Sequence, residues 1–390
     1  MKYVVLLAGF LIHLCIGGIY GWSVLARALG RAYGFSAGSL GLVFGLCILV
    51  FTLTMIPVGR LLRSGRIDPR VLSFAGGLLL AAGYALASRA GGSYLQLLAG
   101  LGLLAGLGIG SCYITAMTVA VAAFRAKGLP TGVIVAGFAS GSIVQSKVMD
   151  HVLSRGAGVD PVLMGMGLAL GALICLASLF LFPRSGTLPA AQPTGARPHP
   201  PLGLPVLLLA GGMFCATFGG LLIIGNLSAI AASLKWQASL PLAVALFSSG
   251  NALGRLCWGV IQDLDPSRNY IKRSIAMLGA SMLCLALFRN TPLLFYFCIL
   301  LSGAAFGAFF VLFPTVTLSR FGASRFAEAY PIVFLAYGIA AALSASFGGL
   351  ILDLVRSVPL AIAFGMAFEL VGLAILFGYR RTVAPPPAEG

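Results

Sequence analysis

Twelve apolar stretches follow one another along this chain, and no other feature limits its fold as strongly. They run at about 3–26, 39–59, 71–88, 93–123, 130–153 and 161–183, then 205–227, 239–262, 274–288, 291–318, 329–352 and 359–379. Crossing the roughly 30 Å hydrocarbon layer of a bilayer takes about 20 apolar residues in a helix. Most of the stretches reach that length, and the longest imply tilt or an overhang into the headgroups. Hydrocarbon offers no water to peptide groups, so each segment must bond internally as a helix. A water-soluble fold is excluded by charge: 9% of the 390 residues are Asp, Glu, Lys or Arg, where a soluble domain carries roughly 25%. The 52 glycines suit helices that approach one another closely in lipid. The expected fold is an all-α membrane protein with twelve transmembrane helices, spans 1 to 12.

A formal net charge of +16 invites a nucleic-acid reading. That reading needs a basic stripe on a soluble face, and the cations are instead dispersed among short loops. With the N-terminus inside, cytoplasmic segments hold Lys2, Arg60, Arg63, Arg66, Arg70, Arg125, Lys127, Arg184, Arg197, Arg268, Lys272, Arg273, Arg320, Arg325, Arg380 and Arg381, sixteen in all. External segments hold seven: Arg27, Arg31, Arg89, Arg155, Lys235, Arg289 and Arg356. Cations accumulate in cytoplasmic loops, so both termini are expected to be cytoplasmic and no nucleic acid is expected as a partner. Met1-Lys2 with its apolar sequel imitates a secretory leader. The run continues to about Leu25, long enough to span a bilayer, and it is read as span 1, retained.

Between spans 6 and 7, Arg184 to Pro201 carries five prolines, two glycines and no apolar run, the composition of a linker. The expected organisation is a six-helix bundle over 1–183, a cytoplasmic linker over 184–202 and a second six-helix bundle over 203–390. The halves echo one another. Gly59-Arg60 and a basic loop to Arg70 follow span 2; Gly259, Asp263 and a basic loop to Arg273 follow span 8, an offset of 200 residues. Two such halves with a substrate site at midplane between them is a known transporter plan.

The eight cysteines lie inside apolar stretches with no C-x-x-C or Cys–His pairing. A disulfide framework, a metal site and a cofactor are therefore not expected. No Walker-type phosphate loop, no HExxH and no acidic cluster occurs, so energy for transport must come from a gradient and no enzymatic activity is expected. Ionisable groups deep in a membrane are costly and face a cavity or a partner. His13, Lys147, Arg255 and Glu369 are the candidates. Arg255 falls near the middle of span 8 and keeps its charge, so it needs an anion in the membrane interior. Its planar fork suits a carboxylate bidentately. Asn251, four residues earlier, lies on the same helical face. The alternative is a salt bridge with a protein carboxylate, for which Glu369 in span 12 has the matching depth. Glu369 is either a proton carrier or a neutral acid bonded to a neighbouring helix. His13 in span 1 is either a packing residue or a proton site. Lys147, with Asp150 and His151 one turn on, reads as an intrahelical pair at the outer surface. Tyr20, Trp22, Tyr113, Phe306 and Phe310 are the aromatics placed where a cavity could use them, against a default of ordinary packing.

Several segments together resemble the major facilitator superfamily, in the branch that joins oxalate/formate antiporters with bacterial-type proton-linked monocarboxylate transporters. Span 1 carries Gly18-Ile19-Tyr20-Gly21-Trp22-Ser23, similar to that branch's signature. Span 5 opens with Phe124-Arg125-Ala126-Lys127-Gly128-Leu129-Pro130-Thr131-Gly132 and then Ala136-Gly137. Span 7 contains Phe218-Gly219-Gly220-Leu221-Leu222, and span 10 ends Leu312-Phe313-Pro314 before Phe321-Gly322. The resemblance implies a monomer in the cytoplasmic (inner) membrane, with a cavity that alternates between the two membrane faces and binds a small carboxylate. Arg255, followed by Trp258-Gly259 and Asp263, matches the branch's substrate-binding arginine. Tyr113, Phe306 and Phe310 match cavity-lining positions. Departures narrow the substrate. Oxalate carriers have a lysine where this chain has Tyr337, so a single fixed cation remains, suiting one carboxylate. Animal relatives place an acid where this chain has Asn251 and a span 1 lysine near Val24, so their proton route is not inherited. The usual acid after span 2 is replaced near Arg63 and Ser64.

These observations point to a secondary transporter of small monocarboxylates such as lactate or pyruvate, moving with a proton by alternating access. Arg255, Asn251, Tyr113, Tyr20, Phe306, Phe310 and Tyr337 are the expected substrate residues, with Glu369 and His13 as proton-coupling candidates. A carboxylate exchanger is the alternative within the class. A transporter-like anion receptor would be expected to carry a soluble tail, and nine residues follow Arg381.

Overall fold

The computed structural model describes residues 1–182, 202–232, 234, 236, 239–265, 270–355 and 357–382. Ten helical stretches among them are long and apolar enough to cross a membrane. One of these, Pro292–Ser344, holds two spans. The helical run Pro292–Val355 is broken at Gly322, with φ 73° and ψ 166°, a conformation that glycine adopts without a Cβ clash. Spans 10 and 11 thus meet at one residue. Leu240–Leu264 supplies the remaining span, its apolarity lowered by Ser248, Ser249, Asn251 and Arg255. Among the described residues the protein is all-α, with twelve spans in two six-helix bundles, as the apolar stretches predict. Most of the expected linker lies outside the described residues, which resume at Leu202.

Met1–Arg197 with Ala323–Pro331 form one compact unit, and Pro198–Gly322 with Ile332–Gly390 form another. In the first, span 1 is not one continuous α-helix. Lys2–Ile16 gives way to a 3-10 segment, Gly17–Gly21, before Trp22–Tyr33. Three glycines in five residues weaken the α-helix there, and tightening to 3-10 leaves carbonyls that lipid cannot satisfy. Gln145 of span 5 answers this by donating Nε2 to Leu14 O at 2.8 Å and to Cys15 O at 2.9 Å. Span 5 approaches closely enough because Gly137 and Gly141 face the Phe10 and Leu14 carbonyls, where a Cβ would collide. Span 4 contains a π segment, Leu98–Leu104, between Tyr94–Leu97 and Ala105–Ala122.

The loops are fixed by caps. Ser36 sits in a G-x-S-x-G spacing, Gly34 to Gly38, yet it serves as an N-cap: its Oγ accepts from Ser39 N at 3.1 Å. Asp68 caps Pro69–Ala87 by accepting from Arg70 N at 2.8 Å, and its carboxyl also takes the Arg70 side chain. That hydrogen-bonded guanidinium holds the Asp68 carboxyl below its ordinary range. Lys127 closes span 4 from outside: Nζ donates to Phe124 O and, at 3.2 Å, to Val121 O. A cation on the orphan carbonyls of a helix C-terminus is favourable. Lys127, between spans 4 and 5, therefore has a structural function. Arg63 is ion-paired with Glu328, and Arg325 Nε lies 3.8 Å from the same carboxylate.

In the second unit, spans 8 and 10 touch backbone to backbone. Gly250 and Gly254 face the Leu300 and Ala304 carbonyls, while Gly303 and Gly307 face those of Phe247 and Asn251. Both helices carry G-x-x-x-G, the spacing that puts two bare positions on one face and allows close contact in lipid.

Candidate functional site

The close crossing of spans 8 and 10 brings Asn251 and Arg255 against Phe306 and Phe310. Arg255 is 1% exposed, a burial that is expensive for a permanent cation. Its Nε donates to Asn251 Oδ1 at 2.9 Å, one helical turn away. Its Cζ stands 4.4 Å from the Phe310 ring centroid. A desolvated cation over an aromatic face gains roughly 2 kcal/mol. The guanidinium is therefore clamped on one edge by an amide and on one face by a ring, which fixes its plane.

An aromatic wall continues from there. Phe310 packs edge-on against Phe306 and Tyr337, each with centroids 5.2 Å apart, and Tyr337 contacts Phe334 at 5.1 Å. Phe247 of span 8 meets Phe306 at 5.8 Å. Five expected residues, Arg255, Asn251, Phe306, Phe310 and Tyr337, thus come together in one unit. Phe247 and Phe334 complete the wall and were not foreseen from sequence. The paired G-x-x-x-G spacings would have pointed to Phe247, because they specify which faces of spans 8 and 10 meet; no local signal marks Phe334, which lies on span 11.

Tyr113 is in the other unit, beside His13. Their ring centroids are 4.7 Å apart, and Phe51 and Phe138 pack on Tyr113 at 5.3 and 5.6 Å. His13 Nδ1 donates to Gly9 O at 3.0 Å, which places that proton on Nδ1 when the ring is neutral. The side chain of Tyr20 lies outside the described residues. Lys147, Asp150 and His151 are exposed at the end of Gly128–Ser154.

Glu369 is 2% exposed. It lies beside Gly219 of span 7, whose backbone is adjacent without the geometry of a full hydrogen bond. Met282 of span 9 shares that contact, and a Cβ placed on Gly279 would stand 4.0 Å from Glu369 Cβ. No ion pair to Glu369 forms among the described residues. The salt bridge that depth alone allowed between Arg255 and Glu369 is not made.

Fold and site together describe an integral membrane protein of transporter architecture, with a buried arginine in an aromatic wall. Residues 209–390 match the family model of the Major Facilitator Superfamily. The chain is similar over 87% of its length to 85% of an uncharacterized MFS-type transporter, YhjX, of Escherichia coli (strain K12), at 24% identity. It is 23% identical to monocarboxylate transporter 12 of Mus musculus, over 85% of this chain and 75% of that protein. Its fold superposes on the outward conformation of the major facilitator transporter FucP with a TM-score of 0.72, covering 98% of this chain and 99% of that one at 14% identity. The architecture is the major facilitator fold.

Proposed function

We propose that this protein is a secondary transporter of small monocarboxylates of the lactate or pyruvate type, which it moves with a proton by alternating access. The observation that carries this reading is Arg255, a fully buried cation whose plane is set by Asn251 and Phe310. A guanidinium so oriented recognises a carboxylate through two parallel N–H donors, and the apolar wall of Phe306, Phe310 and Tyr337 suits a short aliphatic remainder. Binding neutralises the charge, and an accompanying proton makes the loaded cycle electroneutral. Tyr113 and Tyr20, in spans 4 and 1, are the further residues proposed to bind substrate. The proposed organisation is two bundles, 1–183 and 203–390, with 184–202 as the linker. The protein acts as a monomer in the cytoplasmic membrane with both termini inside. Resemblance to a monocarboxylate transporter supports the substrate class.

The test is competition for uptake of labelled lactate in proteoliposomes. Pyruvate should compete, and oxalate should not; equal competition by oxalate rejects the single-cation site. Tyr337→Lys should shift preference towards oxalate by roughly tenfold, the effect of about 1.4 kcal/mol, since a second cation then joins the wall. An unchanged oxalate-to-lactate ratio would remove Tyr337 from the substrate site.

Glu369 and His13 are the midplane groups able to exchange a proton. Glu369→Gln or His13→Gln should uncouple accumulation from the pH gradient while leaving substrate exchange intact. If the double variant still accumulates lactate against a gradient normally, neither residue carries the proton, and the substrate brings its own. Carboxylate exchange is the second reading, favoured by one observation: Asn251 stands beside Arg255 where an acid would supply coupling.

A further inference from the structure

Span 7 passes between Glu369 and the aromatic wall of Arg255, and at one point it has no side chains. At Gly219 the direction a Cβ would take is filled by Glu369 Oε1, with Met282 Sδ at 3.0 Å and Glu369 Cδ at 3.3 Å. At Gly220, the next residue, that direction is filled by the Phe306 ring, with Cγ at 2.9 Å and Cε2 at 3.1 Å. Consecutive helical residues point about 100° apart. The carboxyl and the ring therefore press on adjoining faces of the same bare backbone. From Phe306 the contacts continue to Phe310 at 5.2 Å and from that ring to Arg255 at 4.4 Å. Gly307, next to Phe306, lies against Asn251, which holds Arg255 Nε.

We propose that Gly219-Gly220 is a mechanical link through which the charge of Glu369 sets the position of Phe306 and, through Phe310 and Asn251, of the Arg255 side chain. A neutral carboxyl fits among Gly219, Gly279 and Met282. Among the described residues no side chain donates to its oxygens, and a buried carboxylate requires donors or water. Cys215 is the titratable group facing Glu369 from span 7. From span 9 the neighbours are Gly279 and Met282, and on span 12 Gly365 and Gly372 stand near it, none of them titratable. Gain of charge must therefore draw in water or swing the carboxyl aside. Either displacement reaches span 7 directly, because close-packed interiors pass on small shifts and no side chain cushions these two positions. Proton occupancy and the geometry of the anion site are thereby joined within one bundle.

The inference rests on reading Glu369 as a group that changes charge during transport, and it holds for any anionic substrate. It is tested on the full chain in nanodiscs with para-trifluoromethyl-phenylalanine at position 306, followed by fluorine NMR between about pH 5 and about pH 9. The expected result is one pH-dependent step in the fluorine shift, abolished by Glu369→Gln, while the same label at Phe138 shows no step that Glu369→Gln removes. Should the label at 306 prevent folding, position 310 gives a second reporter of the same wall. A fluorine shift that stays fixed across this range, or that moves equally in Glu369→Gln, overturns the link. Lactate exchange is measured in parallel: its absence with the fluorine step retained rejects the proposed substrate and leaves the link standing.

Discussion

Arg255→Lys should abolish most transport although the charge is kept. Lysine cannot offer two parallel donors to a carboxylate, cannot lie flat on Phe310 and cannot reproduce the Nε bond to Asn251. Losing one charge-assisted hydrogen bond costs roughly 1.5–3 kcal/mol, and the stacked cation adds to that. Uptake at low substrate concentration should fall roughly thirtyfold to several-hundredfold, since each 1.4 kcal/mol is about tenfold. Folding should be retained, as judged by size-exclusion behaviour in detergent. Near-normal lactate uptake and binding in this variant would remove Arg255 as the principal ligand.

Gly307→Leu should be as damaging, for a structural reason. A side chain at 307 points at the Asn251 carbonyl, so spans 8 and 10 must separate and the Asn251–Arg255 pair must shift with them. Overpacking of this kind costs roughly 1–3 kcal/mol, and the rigid backbone opposite cannot rotate out of the way. The thermal midpoint in detergent should drop clearly, and lactate binding should fall with it. Gly45→Leu is the control, because a Cβ there meets nothing within 4 Å. Equal midpoints for the two variants would mean that the crossing of spans 8 and 10 is looser than described.

Much of this was legible in the sequence because hydropathy and helical spacing are local. The apolar stretches located every span, and the separation of Asn251 and Arg255 by one turn anticipated their hydrogen bond. Phe306 and Phe310 were likewise adjacent by spacing alone. What escaped was backbone geometry that apolarity does not encode. The 3-10 segment Gly17–Gly21, the π segment Leu98–Leu104 and the single-residue junction at Gly322 all lie within or beside runs that read as uninterrupted helix or ordinary loop. Tertiary pairings escaped too. Gln145 on the Leu14 and Cys15 carbonyls, Arg63 on Glu328, and Phe310 beneath Arg255 join residues far apart in sequence. Glu369 illustrates the same limit: depth suggested Arg255 as its partner, whereas side-chain direction gives it the bare backbone of Gly219.

The most direct measurement is uptake of labelled lactate into proteoliposomes with and without an inward proton gradient, corrected for leak into protein-free vesicles. A monocarboxylate transporter that moves its substrate with a proton should drive internal lactate above the external level when the outside is acidic, and should only equilibrate it when the two pH values match. Arg255→Lys should do neither above the leak. Folded wild-type protein that takes up no lactate under either condition, or that takes it up equally in both, would contradict the account.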